Sequence, residues 1–328
     1  VVKTSGKLRY LVPGVSRKKS QEEKKDIKFL ESVGFSLSLN PEKTLLKVLA
    51  MEPLGKKRRE REIIIKIKTE LPVELEGRTP YSLILISHGA RIPYKFSSPK
   101  VTFIPHKKFE SGSTYTIEPG GELEGESLTL CLGEFINEGK MLSRESLELH
   151  LLDGFFSNKG VIESQGKFIL KGGKKKEKLQ FLNTGRITAS HIEVGDLLNP
   201  FYAFENRNQK NESQNGREGK IEAKVFTGDI SIFSNTSKIT VSEKVSLYGF
   251  ALKNMRGSFH SGGTFFADFE RVDNAHGSLS GNTHTELKIR QILKNQEGEI
   301  GSISPTEVTF YGGCPEILKI LPKIIKCV

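Results

Sequence analysis

Between Cys131 and Ser302 the apolar and polar positions follow one repeating order. An apolar residue, a spacer and Asn are followed, after one or two residues, by Gly, a spacer, an apolar residue, a spacer and a small residue. The order appears as Phe135-Ile-Asn137-Glu-Gly139-Lys-Met141-Leu-Ser143, Phe156-Ser-Asn158-Lys-Gly160-Val-Ile162-Glu-Ser164 and Phe181-Leu-Asn183-Thr-Gly185-Arg-Ile187-Thr-Ala189. A fourth copy opens at Phe204-Glu-Asn206, is interrupted, and resumes at Gly219-Lys-Ile221-Glu-Ala223. A fifth, Phe233-Ser-Asn235-Thr-Ser237-Lys-Ile239, carries Ser where Gly is expected. Three more, at Asn254, Asn274 and Asn295, have one extra residue before Gly257, Gly277 and Gly298. Between copies lie alternating runs such as Leu147-Glu-Leu149, Phe168-Ile-Leu170, Ile192-Glu-Val194 and Val245-Ser-Leu247. Alternation with period two in β-branched, aliphatic and aromatic residues is strand chemistry.

The eight Asn positions recur at intervals of 19 to 29 residues. A period near twenty with no helical pattern inside it is the signature of a solenoid. The predicted fold is all-β: a right-handed parallel β-helix whose coils pair with their equivalents above and below, with a β-rich N-terminal region. Two core columns are predicted to point inward: Phe135, Phe156, Phe181, Phe204 and Phe233, and Met141, Ile162, Ile187, Ile221 and Ile239. Asn and Gly are placed at a corner on the expectation that both adopt positive φ. Stacked Asn137, Asn158, Asn183, Asn206, Asn235, Asn254, Asn274 and Asn295 are expected to bond from coil to coil as a ladder. Seven steps at the strand spacing give a shaft of about 34 Å.

Across roughly 120–310 this phrase resembles the repeats of filamentous haemagglutinin-like proteins, the adhesins of two-partner secretion, and the stalks of contact-dependent inhibition toxins. That resemblance implies a secreted or bacterial cell-surface, filamentous protein with a structural and adhesive role. It implies binding to a host or neighbouring-cell surface, export through an outer-membrane partner, and, in the toxin relatives, carriage of an effector.

The organisation read from the sequence has four parts. Residues 1–26 are a basic arm expected to be poorly ordered, and 27–110 a β-rich basic region or cap. The β-helix runs over 111–311, and 312–328 is a terminal cap or a further coil. Glu42–Leu54 reads equally as a short helix or a buried strand. The chain opens on Val1-Val-Lys-Thr with neither an initiating Met nor an apolar signal core, and is read as processed or as a fragment. No run of eighteen apolar residues occurs, so no transmembrane segment is predicted. Three cysteines, Cys131, Cys314 and Cys327, contain no CxxC pair, which argues against a disulfide framework or a zinc site. Pairing of Cys314 with Cys327 stays open.

Charge divides the chain. Residues 1–110 hold 24 Lys or Arg against 12 Asp or Glu, while 111–328 hold 26 against 27. The sharpest basic cluster is Lys56, Lys57, Arg58, Arg59 and Arg61, beside the strongly β segment Ile63–Ile67. It lacks the interleaved aromatics of a single-strand binder, so no specific nucleic-acid partner is predicted. Charges in that setting act as gatekeepers against edge pairing. Two polar insertions read as exposed loops that could carry binding, 171–178 with Lys174, Lys175 and Lys176, and 206–217 with Arg207, Lys210 and Arg217; an anionic glycan would use the first of them and the 56–61 cluster.

Catalytic signatures for nucleophile elbows, phosphate loops and zinc proteases are missing. In Gly257-Ser-Phe-His-Ser-Gly262, His260 and Ser261 fall on opposite faces of a strand. His150, His191, His276 and His284 are scattered, and neither metal nor cofactor is predicted. The alternative to an adhesin is a glycan-active β-helix, a polysaccharide lyase or hydrolase, with Asp268, Glu270 and Asp273 as its acidic group and Glu286 one coil away. No Arg or Lys column is evident beside them in the sequence. The expectation is therefore binding without turnover.

Overall fold

In a computed structural model the chain is nearly all β, 70% strand and 3% helix, and forms a parallel β-solenoid of about 10 turns. The structure describes residues 21–52, 64–107, 113–152, 154–172, 179–208, 219–311 and 320–327. The chain divides into two compact units, Val1–Gly154 and Phe155–Val328.

The first unit opens on a helix, Gln21–Ser32. It ends where Gly34 takes φ 89° and its N–H bonds the carbonyl of Glu31, the left-handed stop that glycine allows. Leu30 and Val33 from this segment are buried. The strand Phe35–Leu39 then pairs antiparallel with Leu46–Ala50. Asn40 closes the turn between them, its side-chain oxygen accepting from the N–H groups of Thr44 and Leu45. The segment that read as helix or strand is thus a strand. The arm expected over 1–26 gives way at Gln21 to the helix, and residues 1–20 lie outside the described residues.

Parallel pairing begins far earlier than residue 111. Leu46–Ala50 pairs parallel with Val73–Arg78, and Ile64–Lys68 with Ser82–Ser87, which continues onto Lys100–Pro105. One inward column runs Leu46, Val73, Ala90, Tyr115, Phe135. The described strands from Leu46 to Ile117 therefore already pair in parallel, as the coils after residue 111 do. The ladder position is where they differ. Asn137 stands in register with Ile117, and Ile117 with Ile92. Both isoleucines are buried, so the early coils fill the same position with an aliphatic side chain and lack the Asn that marks the later ones.

In the second unit Phe156, Phe181, Phe204 and Phe233 occupy one column. Their rings stack nearly parallel, with centroids 4.6, 4.8 and 5.4 Å apart, close to the strand spacing that sets one coil above another. Beside them runs Ile162, Ile187, Ile221, Ile239, Phe259, Leu279, Ile300. All are buried. Large side chains repeated at one register fill the interior between the coils.

The corner corrects a physical expectation. None of the ladder asparagines or the glycines that follow them has positive φ among the described residues. The left-handed residues are instead Arg256, His276 and Glu297, at φ 60°, 55° and 52°. Each is the extra residue before Gly in the longer phrases and sits third in an Asn-x-x-Gly turn. Glycine follows because of close approach. A Cβ on Gly277 would lie 1.9 Å from the carbonyl oxygen of Asn254 in the neighbouring coil.

Candidate functional site

Outward positions of a coil alternate with the core positions, so a ligand-facing array is built from every second residue of stacked strands. Three strands of the second unit, Lys238–Lys253, Thr264–Asp273 and His284–Lys294, pair parallel in that order. Ser246, Phe266 and Glu286 form one outward column, and Tyr248, Asp268 and Lys288 the next. Phe250, Glu270 and Arg290 follow two residues further along the same strands. The result is an array of three rows and three columns, with a register shift at the last column, where Phe269 pairs with Ile289 but Arg271 with Ile292.

Its groups are tied together. Arg290 bridges both carboxylates of the row above, at 2.7 Å to Asp268 and 3.4 Å to Glu270. Lys288 lies 3.3 Å from Glu286 and 5.2 Å above the ring of Phe266. The Glu286 carboxylate bonded to it holds the Lys288 ammonium above the usual lysine range. Arg271 covers the Phe250 ring at 5.1 Å, and Tyr248 lies 5.3 Å from Phe266 at a tilt of 50°. Tyr248 and Phe250 remain 39% and 45% exposed, too open to count as core. In register above Tyr248 stands Asp229, whose carboxyl is pushed above its usual range by burial and then by nearby Asp196.

Of the acidic group singled out from sequence, the structure brings Asp268 and Glu270 together and separates Asp273. Asp273 lies at the Asn274 corner, where its carboxylate accepts from the N–H of Ala275. Lys288 and Arg290 were missed as basic partners, yet the signal was present. Asp268 and Lys288 each stand 14 residues after the Asn of their own phrase, and Glu270 and Arg290 each 16 after it. Aligning the coils on Asn, instead of searching for a compact basic cluster, places them in register.

The ladder is a buried polar spine. Asn158 donates through Nδ2 to the Oδ1 of Asn183 at 2.7 Å, Asn183 to Asn206 at 2.8 Å and Asn206 to Asn235 at 2.9 Å. Asn235 donates to Asn254 at 2.7 Å, Asn254 to Asn274 at 2.8 Å and Asn274 to Asn295 at 2.7 Å. The remaining amide hydrogen caps the turn, as when Asn254 and Asn274 donate to the carbonyls of Gly257 and Gly277. Asn137, in the first unit, is also buried. Ser237 stands where Gly was expected, and its hydroxyl donates to the side chain of Asn208 at 2.5 Å.

Most of the proposed basic loops, Lys174, Lys175, Lys176, Lys210 and Arg217, and the cluster Lys56, Lys57, Arg58, Arg59 and Arg61 lie outside the described residues. Arg207 is described, and its guanidinium is paired with Glu205 of the same strand region at 2.6 Å. His260 is half-buried and contacts the hydroxyl of Ser280 at 3.0 Å, while Ser261 is buried and donates to the carbonyl of Thr264. His150 pairs with Glu148 and His276 with Glu297. Among the described residues no three His, Cys, Asp or Glu side chains converge as a metal site. Burial pushes the half-buried Cys131 thiol up from its usual range, away from the thiolate that reacts. Cys314 and the side chain of Cys327 lie outside the described residues.

No helix among the described residues is long and apolar enough to cross a membrane. Comparison with known families, curated proteins and solved structures gives no match.

Proposed function

We propose that the chain is a structural and adhesive β-solenoid, a segment of an exported or surface filamentous protein of the filamentous haemagglutinin-like kind, which binds its partner without turning it over. The observation that carries this reading is the state of the outward carboxylates. Asp268 and Glu270 are both held by one guanidinium. Glycoside hydrolysis asks one such carboxyl to protonate the leaving group while the other acts as base or nucleophile. Two carboxylates that share one cation as ion-pair partners suit contact with a ligand's hydroxyls better than proton traffic. The resemblance of the repeat adds a cell-surface setting, an outer-membrane export partner and a host or neighbouring-cell surface as target. The basic segments around Lys56–Arg61 and Lys174–Lys176 favour an anionic glycan there.

A second reading has its own support. Lys288 stands in register with Asp268, and Arg290 pairs with both Asp268 and Glu270, giving the mixed acidic and basic face that a polysaccharide lyase or hydrolase would use. The two readings separate in one experiment. The protein is incubated with a panel of acidic and neutral polysaccharides, and both retention and the release of reducing or unsaturated ends are measured. Retention without product is the expected result. Product formation abolished by Asp268→Ala or Glu270→Ala would overturn the adhesive reading.

A further inference from the structure

We infer that the array around Tyr248 and Phe250 is a binding site for a neutral pyranose oligosaccharide, distinct from any anionic-glycan contact made by the basic segments. The inference rests on the reading of the chain as a binding solenoid. Three features of the array select the ligand. First, Tyr248 and Phe250 expose 39% and 45% of their surface on neighbouring outward positions of one strand. Flat, apolar rings in that setting match the C–H face of a pyranose, which is likewise apolar on one side and wet at its rim. Secondly, the charges of the array cancel. Arg271, Lys288 and Arg290 stand against Asp268, Glu270 and Glu286: Arg290 pairs with Asp268 and Glu270 across one coil step, Lys288 pairs with Glu286 within one strand, and Arg271 lies over the Phe250 ring. These six groups leave no net charge to attract an anionic or a cationic ligand. Hydroxyl groups, which donate and accept, can bond to both kinds of group while leaving the ion pairs in place. Thirdly, the array is an open face. A protein partner would need roughly 1,200–2,000 Å² of matched surface and would have to desolvate three carboxylates and three cations, which is costly unless each is re-paired. A sugar chain laid over the rings leaves the charged rim wet.

The cations over Phe250 and Phe266 have a role in this arrangement. Each stacks on a ring at about 5 Å, a contact that fixes ring orientation and so lowers the ordering cost of binding.

The test uses the full chain and affinity retention on immobilised cello-, xylo-, manno- and chito-oligosaccharides, with heparin and polygalacturonate as anionic probes. Retention on at least one neutral oligosaccharide is expected, and it should change little between low and high salt because no net charge is screened. Tyr248→Ala and Phe250→Ala should each weaken it about five- to tenfold, while Tyr248→Phe, which keeps the stacking surface, should retain it. Matched thermal melts show that the exposed-ring variants stay folded. No retention on any neutral oligosaccharide, or retention indifferent to loss of both rings, would overturn the site. In that case salt-sensitive binding of heparin alone would leave the adhesive reading intact. Turnover dependent on Asp268 together with ring-dependent binding would do the reverse: the site would stand and the reading of the chain as a non-enzymatic binder would fall.

Discussion

At the scale of single residues, two kinds of column hold the coils in register and they answer to different physics. The phenylalanine column stabilises by burial and stacking, and truncating one ring leaves a cavity between two flat neighbours. Phe181→Ala is expected to cost about 3–5 kcal/mol, since Phe181 is fully buried and stacks on Phe156 and Phe204. From Asn158 to Asn295 the asparagine ladder stabilises by bonding each side-chain amide to the next. Asn254→Leu removes the acceptor for Asn235 and the donor to Asn274 and Gly257, and orphaned buried polar groups cost about 1–3 kcal/mol each. Urea unfolding of the two variants checks both figures. A change within about 0.5 kcal/mol, the usual range for surface substitutions, in either variant would mean that its side chain is not packed as described.

Elements show why the later coils were legible in the sequence and the earlier ones were not. Where the ladder position is Asn, as at Asn183 or Asn274, a polar residue inside an apolar run announces the corner, and spacing alone then gives the fold. Where the same position is Ile92 or Ile117, the run reads as ordinary strand and the coil boundary vanishes. The candidate site was half legible for a related reason. Asp268 and Glu270 form a pair within one strand, but Arg290 reaches them only through the strand register, which a linear search for clusters does not see. Outward rows elsewhere on the second unit carry ion pairs of the same construction. Glu222 lies 2.8 Å from Lys220 and 2.9 Å from Arg186 of the neighbouring coil, and these cations hold its carboxyl below the usual value of 4.5. A carboxylate whose folded pKa is depressed contributes stability above its unfolded pKa and loses that contribution as pH falls through the folded one. The melting temperature of the wild type should therefore exceed that of Glu222→Gln at neutral pH. The gap should close on acidification below about 4.5, the ordinary glutamate range. A gap that persists unchanged to acid pH would assign the difference to packing and not to charge.

On the scale of the whole molecule, a parallel solenoid solves one problem and creates another. Every interior strand is paired on both sides, but each terminal coil presents a row of backbone donors and acceptors that invites another chain to add on. In the first unit that edge is dealt with by breaking the parallel rule. Phe35–Leu39 turns back antiparallel onto Leu46–Ala50, and the helix Gln21–Ser32 precedes it with Leu30 and Val33 buried. Phe35 itself is 2% exposed, so the segment is packed against the core as well as hydrogen-bonded to the edge. If this is its role, a chain that begins at Leu45 keeps the coils from Leu46 onward but bares the edge of Leu46–Ala50 and the apolar surface under Leu30, Val33 and Phe35. Such a chain is expected to associate with rising concentration, with light scattering behind size-exclusion chromatography showing a mass above that of the full chain at the same concentration. Adding back a peptide spanning residues 21–44 should reverse the association, because it restores the antiparallel strand. A truncated chain that keeps the full chain's association state across the concentration range would show that the helix and strand do not protect the edge.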